Sequence, residues 1–429
     1  MLLEQIYQIF QKHPKVITDS RNIEKDAIFF ALKGANFNGN KYALSAIEQG
    51  CSYAIVDEAE FAKHDRCILV DNVLMTLQGL GRLHRRTLGI PIIGITGTNG
   101  KTTTKELLHV VLSRKFRTYA TQGNFNNHIG VPLTLLAMDT STEFGIVEMG
   151  ANHPGEIKEL CEIAEPDFGI ITNVGKAHLE GFGSFDGVKK AKSELYDYLG
   201  ATNGKIFVNA DNHHLQDMLN GRTALTYGNQ EDVFSKGRFL QSEPFMVMEL
   251  RSPIGKLYIK TRLIGAYNFE NAMAAVAVGR YFQMDEVVIK KALEEYEPQN
   301  NRSQLKKTER NVLIMDAYNA NPTSMHAAVS NFSRMTFRNK ALVLGDMLEL
   351  GSKSKTEHQA ILELLKKEGL TESYLVGSEF CSLSDSSDFM CFERVEDLVE
   401  FFEENPVQGK YILIKGSRGI HLEKITEIL

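Results

Sequence analysis

The sequence has few of the features that mark secreted and membrane-spanning proteins. Its cysteines are few and odd in number, and they show neither a CxxC spacing nor a paired framework; they are Cys51, Cys67, Cys161, Cys381 and Cys391. Scattered cysteines of this kind are typical of unpaired, inert thiols in a reducing compartment. No stretch approaches the roughly 18 uninterrupted apolar residues of a membrane-spanning helix. Glu4 and Gln5 interrupt the apolar start of the chain, which is atypical of a signal peptide. We therefore expect a cytoplasmic protein without a membrane partner.

An excess of basic residues is also missing. The 429 residues include 48 Lys and Arg against 54 Asp and Glu, a formal net charge of −6, which argues against a general nucleic-acid binder. With 43% hydrophobic and 24% charged residues, the composition is that of a globular protein. Disorder, collagen and coiled coil are therefore excluded as the main state. No interface signature is evident, so we expect a monomer.

Short apolar runs separated by helical patterns make up much of the chain. Such runs predict buried parallel strands in α/β units. They occur in AIFFALKG, CSYAIVDE, PIIGIT, EFGIVEMG, DFGIITNVG, KIFVNAD, NVLIMDAYN, ALVLGDM, ESYLVG and YILIKGS. Residues 234–262 alternate apolar and polar side chains instead, which predicts an antiparallel hairpin at the edge of the central domain. At about 150 residues per domain, we predict an α/β protein of three domains, at residues 1–86, 87–304 and 305–429.

The strongest local signal is GTNGKTT, between a predicted strand and a predicted helix. It departs at one position from the phosphate-loop pattern G-x-x-x-x-G-K-[ST], because Ile95 stands where glycine is expected. Small residues and a helix N-terminus suit a phosphate chain; Lys101 can reach its outer phosphates and Thr102 can ligate Mg²⁺. The alternative is a tight turn with a surface lysine. The predicted nucleotide-binding residues are Gly97, Thr98, Asn99, Gly100, Lys101, Thr102 and Thr103.

Other unusual polar residues lie at the ends of predicted strands, where ligands bind in parallel sheets. Glu148 closes an apolar run, where a carboxylate is costly to bury unless it is paired or metal-bound. It is a candidate Mg²⁺ ligand, with a salt bridge as the alternative. His178 follows another strand and is either a ligand or a capping or core residue. Lys192 lies on a predicted helix, where lysines are usually solvated.

Two further positions suggest contacts with a nucleoside. Asn268 and Asn271 are three residues apart at a helix start, a spacing that suits the donor and acceptor edge of a base or simple helix capping. Asp316 follows a buried strand. Its carboxylate could bond a ribose or orient a metal-bound water, or it could belong to an Asx-type turn that Pro322 ends.

Seven motifs, taken together and in order, resemble the Mur ligases. They are ITGTNGKTTTKE, IVEMGANHPGEI, ITNVGKAHLEGFGS, AKSEL, NFENAMAA, DAYNANPTSM and VLGDMLELG. The last two resemble the family member that joins D-alanyl-D-alanine to UDP-N-acetylmuramoyl tripeptide. DSRNIEKDAIFFALKGANFNGN resembles the UDP-sugar domain of that member, and QGNFNNHIGVPLTLL resembles its substrate-facing loop. The resemblance implies a small α/β UDP-sugar-binding domain, a central P-loop ATPase domain with a parallel sheet, and a C-terminal Rossmann-like domain.

The resemblance also implies an ATP- and Mg²⁺-dependent amide ligase of peptidoglycan precursor synthesis. The tripeptide carboxylate attacks the γ-phosphate of ATP to give an acyl phosphate. The amine of D-alanyl-D-alanine then displaces phosphate through a tetrahedral intermediate. Bringing these anions together requires metal ions and cations.

The same resemblance assigns roles residue by residue. Lys101, Lys192 and His178 are the catalytic residues. Thr102 and Glu148 ligate a first Mg²⁺ and His178 a second, while Lys192 matches a lysine that is carbamylated in the family and so joins the metal set. Further nucleotide contacts fall on Asn268, Asn271, Arg302 and Asp316. Substrate contacts fall on Ser20, Arg21, Lys33, Gly34, Asn124, Asn126, Asn127, Asn319 and Asn321, with residues 346–350 beside the incoming dipeptide.

Two rival functions stay open on the sequence. The nearer one is another ligase of the superfamily, acting on a different UDP-muramoyl peptide and amino acid, or on a folate and glutamate. The other is an ATPase module that couples nucleotide binding to movement without ligation. The third residue of the peptide substrate, lysine or diaminopimelate, is not readable.

Overall fold

The computed structural model describes residues 2–253, 255–299, 301–383 and 388–429. Over these residues the chain forms three α/β domains, each built around its own parallel sheet. This confirms the predicted fold class. None of the described helices is both long and apolar enough to cross a membrane.

In the N-terminal domain, the described strands form a four-stranded parallel sheet in the order β1-β2-β5-β6 and a separate hairpin, β3–β4. The elements are α1 (Leu3–Lys12), β1 (Val16–Ile17), β2 (Ile28–Phe30), β3 (Lys33–Gly34), β4 (Phe37–Asn38), α2 (Ala43–Glu48), β5 (Tyr53–Val56), β6 (Cys67–Leu69) and α3 (Val73–Leu88). Strand β2 is buried at every position, as its continuous apolar sequence predicts.

In the central domain, the described strands form a nine-stranded sheet in the order β15-β14-β13-β12-β11-β10-β7-β9-β8. The first elements are β7 (Ile92–Thr96), α4 (Lys101–Leu112), β8 (Thr118–Ala120), α5 (Gly130–Leu136), β9 (Phe144–Glu148), α6 (Glu156–Ala164), β10 (Phe168–Ile171), α7 (Leu179–Phe182) and α8 (Phe185–Thr202). The others are β11 (Lys205–Asn209), α9 (His213–Leu219), β12 (Leu225–Gly228), β13 (Ser235–Ser242), β14 (Phe245–Ser252), β15 (Gly255–Ile264), α10 (Asn268–Tyr281) and α11 (Glu286–Glu295).

The strand order of the central sheet determines where the loops that follow its strands lie. Strand β7 pairs with β9 on one side and β10 on the other, both in parallel, so the connections diverge around its carboxyl end and open a crevice there. Strands β13, β14 and β15 pair antiparallel at the edge, which confirms the predicted hairpin and extends it to three strands. Helix α10 is buried along most of its length, since its alanines allow close packing against α4.

The C-terminal domain has, within its described residues, a six-stranded sheet in the order β16-β17-β21-β18-β19-β20. It is parallel except for the β16–β17 pair. The elements are β16 (Gln304–Lys307), β17 (Val312–Met315), α12 (Pro322–Arg334), β18 (Lys340–Gly345), α13 (Ser354–Lys367), β19 (Ser373–Val376), α14 (Ser378–Cys381), β20 (Met390–Phe392), α15 (Val395–Glu404) and β21 (Tyr411–Lys415). The exact boundaries between the domains, at residues 86/87 and 304/305, stay predictions.

The expectation that all the cysteines are unpaired is wrong. Cys381, at the end of α14, forms a disulfide with Cys391 in β20, whereas Cys51, Cys67 and Cys161 are free. The pair meets because β20 lies beside β19, the strand that precedes α14. A contact created by the fold in this way leaves no mark in cysteine spacing.

Candidate active site

A cleft of about 700 Å³ lies between the carboxyl ends of the central strands and the C-terminal domain. Most of the site residues predicted from the sequence meet there. Those that line it are Thr98, Asn99, Gly100, Lys101, Thr102, Thr103, Asn124, Asn126, Asn127, Glu148, His178, Asn268, Asn271, Arg302, Asp316, Asn319 and Asn321.

Two glycines allow the phosphate loop to follow its path between β7 and α4. Gly97 and Gly100 have φ angles of 144° and 78°, a region that favours glycine. A Cβ at Gly97 would lie 2.0 Å from the Thr172 hydroxyl, and one at Gly100 would lie 2.5 Å from the Asn271 side-chain oxygen. The loop therefore needs glycine at both positions, for backbone conformation and for space.

Asn173, which follows β10, holds the loop in place. Its backbone carbonyl accepts a hydrogen bond from the Thr98 N–H at 3.0 Å, and its side-chain oxygen accepts one from the Asn99 N–H at 2.9 Å. The loop is thus held by contacts within the central domain, and the residues at the start of α4 line the cleft. Sequence reasoning missed Asn173, although it directly follows an apolar run.

The Lys101 ammonium folds back over the loop. It donates to the carbonyl oxygens of Gly97 at 2.7 Å and Thr98 at 3.1 Å. Burial lowers the pKa of Lys101, opposed by the nearby Glu148 carboxylate. The Lys101 ammonium is therefore held by carbonyls of the loop and is not a free surface lysine, while its contact with phosphates stays a prediction.

Glu148 ends β9 and is only 3% exposed. Its Oε1 accepts a hydrogen bond from the Asn126 side chain at 3.0 Å, while its Oε2 is buried without a hydrogen-bond partner. An unpartnered buried carboxylate oxygen is costly and is the kind of ligand that Mg²⁺ takes. The Thr102 hydroxyl is also buried at this cleft, so these residues fit a magnesium ion shared with phosphates.

The described residues contain no group of three His, Cys, Asp or Glu side chains able to hold a metal by themselves. That agrees with a site in which protein supplies one carboxylate and one hydroxyl. Mg²⁺ commonly takes its remaining ligands from substrate phosphates and water.

His178 caps α7 with a left-handed backbone, φ 48°. Its Nδ1 is hydrogen-bonded to the Glu349 carboxylate of the C-terminal domain. Burial is the largest cause that lowers the pKa of His178; Lys101 and Lys192 act in the same direction, and Glu349 opposes them. The ring therefore favours its neutral form, which is the form that ligates metals.

Lys192, on α8, is 2% exposed, so the expectation of a solvated helix lysine is wrong. Its ammonium lies 5.5 Å from the centre of the Phe182 ring. Burial, helped by the charge of Lys101, lowers the pKa of Lys192 to about 7. Lys192 and Gly97 do not line the cleft; Lys192 and His178 both lie beside the Phe182 ring.

Asn268 and Asn271 are both buried at the start of α10. The Asn268 side chain donates to Ile264 O at 2.8 Å and Ser303 Oγ at 3.1 Å. The Asn271 side chain donates to Asn268 Oδ1 at 2.9 Å and accepts from Thr104 Oγ1 at 3.1 Å. The Asn271–Thr104 bond ties α10 to the phosphate-loop helix, and the bonds of Asn268 occupy both of its amide N–H groups; both residues line the cleft.

Arg302 and Asp316 approach the cleft from the C-terminal side. The Arg302 guanidinium lies 3.7 Å from the centre of the Tyr318 ring, and its buried Nε has no hydrogen-bond partner. The buried Lys415 ammonium donates to Asp316 Oδ2 at 2.7 Å. Sequence reasoning missed Tyr318 and Lys415. Lys415 ends the apolar run YILIK, the same signal that selected Glu148.

Side chains of the two domains also contact one another across the cleft. The Asn321 side chain caps α12 at Ser324 N and donates to Asn99 Oδ1 at 2.7 Å. The Lys176 ammonium pairs with Glu357 at 2.7 Å, and the Lys176 N–H donates to Thr323 Oγ1 at 3.1 Å. The C-terminal domain is therefore already placed against the phosphate loop.

Four predicted substrate residues lie elsewhere. Ser20, Arg21, Lys33 and Gly34 belong to the N-terminal domain and do not line the cleft. Arg21 is exposed and bonded to Asp19, and Lys33 pairs with Asp57 and Glu58. Their assignment to a UDP-sugar stays a prediction.

Models of one protein family match this chain in each of its three domains. Family models match at residues 15–76 (Mur ligase family, catalytic domain), 95–279 (Mur ligase middle domain) and 301–418 (Mur ligase, glutamate ligase domain). The chain is 35% identical to the UDP-N-acetylmuramoyl-tripeptide–D-alanyl-D-alanine ligase of Bacillus subtilis, over 96% of this chain and 92% of that protein. The ligase of the same name from Escherichia coli is 31% identical, over 96% and 93%.

Solved structures agree with these relatives. MurF from Acinetobacter baumannii is similar with a TM-score of 0.88 and 30% identity, covering 99% of this chain and 97% of that one. MurF ligase from Thermotoga maritima, in complex with ADP, gives a TM-score of 0.85 and 26% identity over 96% of each chain. Since family models match in all three domains and relatives above 30% identity span nearly the whole sequence, the chain belongs to the Mur ligase family.

Proposed function

We propose that this protein is an ATP-dependent ligase that joins D-alanyl-D-alanine to UDP-N-acetylmuramoyl tripeptide in peptidoglycan precursor synthesis. One observation carries the proposal: a single cleft combines the phosphate loop and the Glu148 carboxylate of the central domain with a C-terminal wall at Asp316, Asn319 and Asn321. A protein that only binds and hydrolyses a nucleotide needs the phosphate loop and the metal ligand but not the C-terminal wall. Ligation of two organic substrates needs all three, and the relatives that match the whole chain carry this ligase's name.

In this mechanism the central wall holds the nucleotide. The loop N–H groups and the helix dipole of α4 bind the phosphates, and Lys101 leaves its carbonyl partners to reach the outer phosphates. Asn268 and Asn271 contact the base, and Arg302 and Asp316 reach the nucleotide from the other domain. Thr102 and Glu148 would hold a first Mg²⁺ and His178 a second, and the bound ions would neutralise phosphate charge. The tripeptide carboxylate, placed beside Asn124, Asn126 and Asn127, then attacks the γ-phosphate to form the acyl phosphate.

The C-terminal wall brings the second substrate to the acyl phosphate. The amine of D-alanyl-D-alanine attacks the activated carbonyl, and phosphate leaves. Closure of this wall excludes water, which would otherwise hydrolyse the acyl phosphate. The contacts between Asn99 and Asn321, and between His178 and Glu349, support that arrangement.

Lys192 has the environment that carbamylation requires. Its burial and a pKa lowered to about 7 leave a large share of neutral amine at physiological pH. A neutral amine adds to CO₂ to give a carbamate anion with loss of one proton. The product is a carboxylate-like ligand beside His178, in place of a buried cation. Lys101, Lys192 and His178 are the proposed catalytic residues.

The test is phosphate release with ATP, Mg²⁺, UDP-N-acetylmuramoyl tripeptide and D-alanyl-D-alanine, each omitted in turn. We expect release that requires all four, with a pentapeptide product by mass spectrometry. Preference for a single amino acid over the dipeptide would indicate a sibling ligase. ATP hydrolysis indifferent to both organic substrates would indicate the ATPase module instead. Supplying lysine- and diaminopimelate-containing tripeptides separately identifies the third residue, and a cytoplasmic monomer stays our expectation.

A further inference from the structure

A second, smaller pocket opens beside the cleft. Its volume is about 200 Å³, and it shares His178, Tyr318, Asn319 and Asn321 with the lining of the larger cleft. The pocket therefore adjoins the metal and phosphate end of the site. A dipeptide in extended form spans about 7 Å, so a ligand of two small residues suits this space.

The far side of the pocket is a turn that follows β21. Ser417 caps a short 3₁₀ helix, Arg418–Ile420, and its hydroxyl accepts a hydrogen bond from the Leu348 N–H at 3.0 Å. The Ser417 N–H donates to Asp346 O at 3.1 Å. These two bonds join the turn to the loop after β18, so the position of Arg418 relative to that loop is fixed.

The charges around the pocket are unequal. Glu349 is bonded to His178, which also lines the larger cleft. Arg418 is the remaining charged residue of the lining, and among the described residues its guanidinium has neither an ion pair nor a side-chain hydrogen bond. Its contact is the Tyr318 ring, 5.5 Å from the guanidinium carbon. The lining of the pocket therefore combines a carboxylate that is bonded to His178 with a permanent cation that has no ion pair among the described residues.

The incoming dipeptide has the complementary polarity. Its amine must reach the activated carbonyl at the metal end, so its free carboxylate must point away from it. The Glu349 carboxylate repels that group, whereas a guanidinium binds a carboxylate through two parallel hydrogen bonds. Leu348, 44% exposed at the pocket, offers an apolar surface for the alanine methyl groups.

We propose that Arg418 binds the terminal carboxylate of the incoming dipeptide and makes the enzyme select a substrate with a free carboxylate. Tyr318, which also stacks on Arg302, orients the guanidinium. This inference rests on the proposed function and adds to it a residue that determines specificity.

The experiment compares D-alanyl-D-alanine with D-alanyl-D-alaninamide, which lacks the negative charge, in the full chain. In the wild type we expect kcat/KM for the amide to be about 30-fold lower than for the acid, the range of a hydrogen bond to a charged group. In Arg418→Gln, KM for the acid rises about 30-fold and the preference for acid over amide is lost. Arg418→Lys keeps part of the preference. KM for ATP changes less than about 2-fold, as a local effect on the dipeptide requires.

The control is Arg338→Gln, an exposed arginine of the same domain outside both pockets, which should keep the wild-type preference. A wild-type enzyme that uses acid and amide equally well would overturn the inference, whether or not the variants fold. So would an Arg418→Gln enzyme that still prefers the acid. Absence of phosphate release with D-alanyl-D-alanine in the wild type would instead overturn the proposed function, and this inference with it.

Discussion

The cleft has a wall from the central domain and a wall from the C-terminal domain, and the side chains of the two walls find their hydrogen-bond partners in different places. On the central wall, the phosphate loop, Glu148 and Asn271 are held by neighbours in the same domain, such as Asn173 and Asn126. On the C-terminal wall, several polar side chains reach across the cleft instead. Asn321 bonds Asn99, Glu349 bonds His178 and Glu357 pairs with Lys176. The central wall is held by bonds within its own domain, whereas the C-terminal wall combines bonds within its domain, such as Lys415 to Asp316, with bonds across the cleft.

From this difference we infer different functions for the two walls. A wall fixed by its own domain keeps its geometry whether or not the domains are closed, which suits nucleotide and metal binding. Contacts between the domains exist only in the closed arrangement, which suits the last substrate and the exclusion of water. Changes on the central wall should therefore abolish chemistry, and changes on the C-terminal wall should weaken closure.

The largest effect is expected for Lys101→Ala on the central wall. Turnover should fall at least about 1,000-fold, because the lysine neutralises charge on the transferred phosphate. The free energy of unfolding should fall by only about 1 kcal/mol, since the bonds to Gly97 and Thr98 carbonyls are few. Phosphate release and thermal melting measure the two effects. Lys115→Ala, whose ammonium bonds Phe282 O outside the cleft, is the control; wild-type turnover in Lys101→Ala would refute the phosphate assignment.

Lys192→Ala should lose about 100-fold in turnover, within the range of a lost metal-site group, and recover partly with added formate or acetate. A short carboxylate can occupy the space that the carbamate leaves, as in other buried sites emptied by truncation. Initial rates with and without these anions measure the rescue. The matched control is Lys190→Ala, an exposed residue of the same helix. Full activity of Lys192→Ala without any added anion would remove the carbamate hypothesis.

Much of the fold was accessible from the sequence because parallel strands buried on both faces must be continuously apolar. The runs at β7, β9, β10 and β17 predict strands at the observed positions, and polar residues at their ends predict one edge of the sheet. The Cys381–Cys391 disulfide and strand β16 were not accessible, because each depends on which strands become neighbours. Topology of that kind is set by the packing of distant segments.

The candidate site divides in the same way. The phosphate loop, Glu148 and His178 carry local signals, and the structure brings them together in one cleft. The burial of Lys192 has no local signal, because it depends on how α8 packs against α7. Tyr318, Leu348 and Arg418 lie on different segments and meet only in the folded domain. Their spacing in the sequence therefore does not predict that they share a pocket. Sequence reasoning therefore recovered the central wall better than the C-terminal wall.

A change on the C-terminal wall should have a smaller effect. In Asn321→Ser the hydroxyl can still cap α12, while the amide donor to Asn99 is removed. We expect turnover to fall about 10-fold, the value of one hydrogen bond to a group at the phosphate loop, with an unchanged melting temperature. Asn405→Ser, whose amide bonds Phe401 O of its own helix, is the control. Equal turnover in Asn321→Ser and wild type would show that this contact between domains does not support catalysis.

The smallest effect is on the free energy of unfolding, and it comes from a carboxyl group that is buried in the central wall. Glu270, on α10, lines the cleft, and burial together with the charge of Asp211 raises its pKa from 4.5 to about 7. Between these pH values the folded protein holds a proton that the unfolded chain has lost. The free energy of unfolding therefore falls as pH rises from about 4.5 to about 7, and the loss remains at higher pH.

Glu270→Gln removes that loss while keeping the shape of the side chain and its bond to Asn209. The variant should be more stable than the wild type at pH 8, by a margin that shrinks as the pH falls toward 5, as measured by urea unfolding at both values. Glu162→Gln, an exposed position on α6, should show no such difference between the two pH values. If Glu270→Gln changed stability equally at pH 5 and pH 8, the Glu270 carboxylate would not be the source of the loss of stability with rising pH.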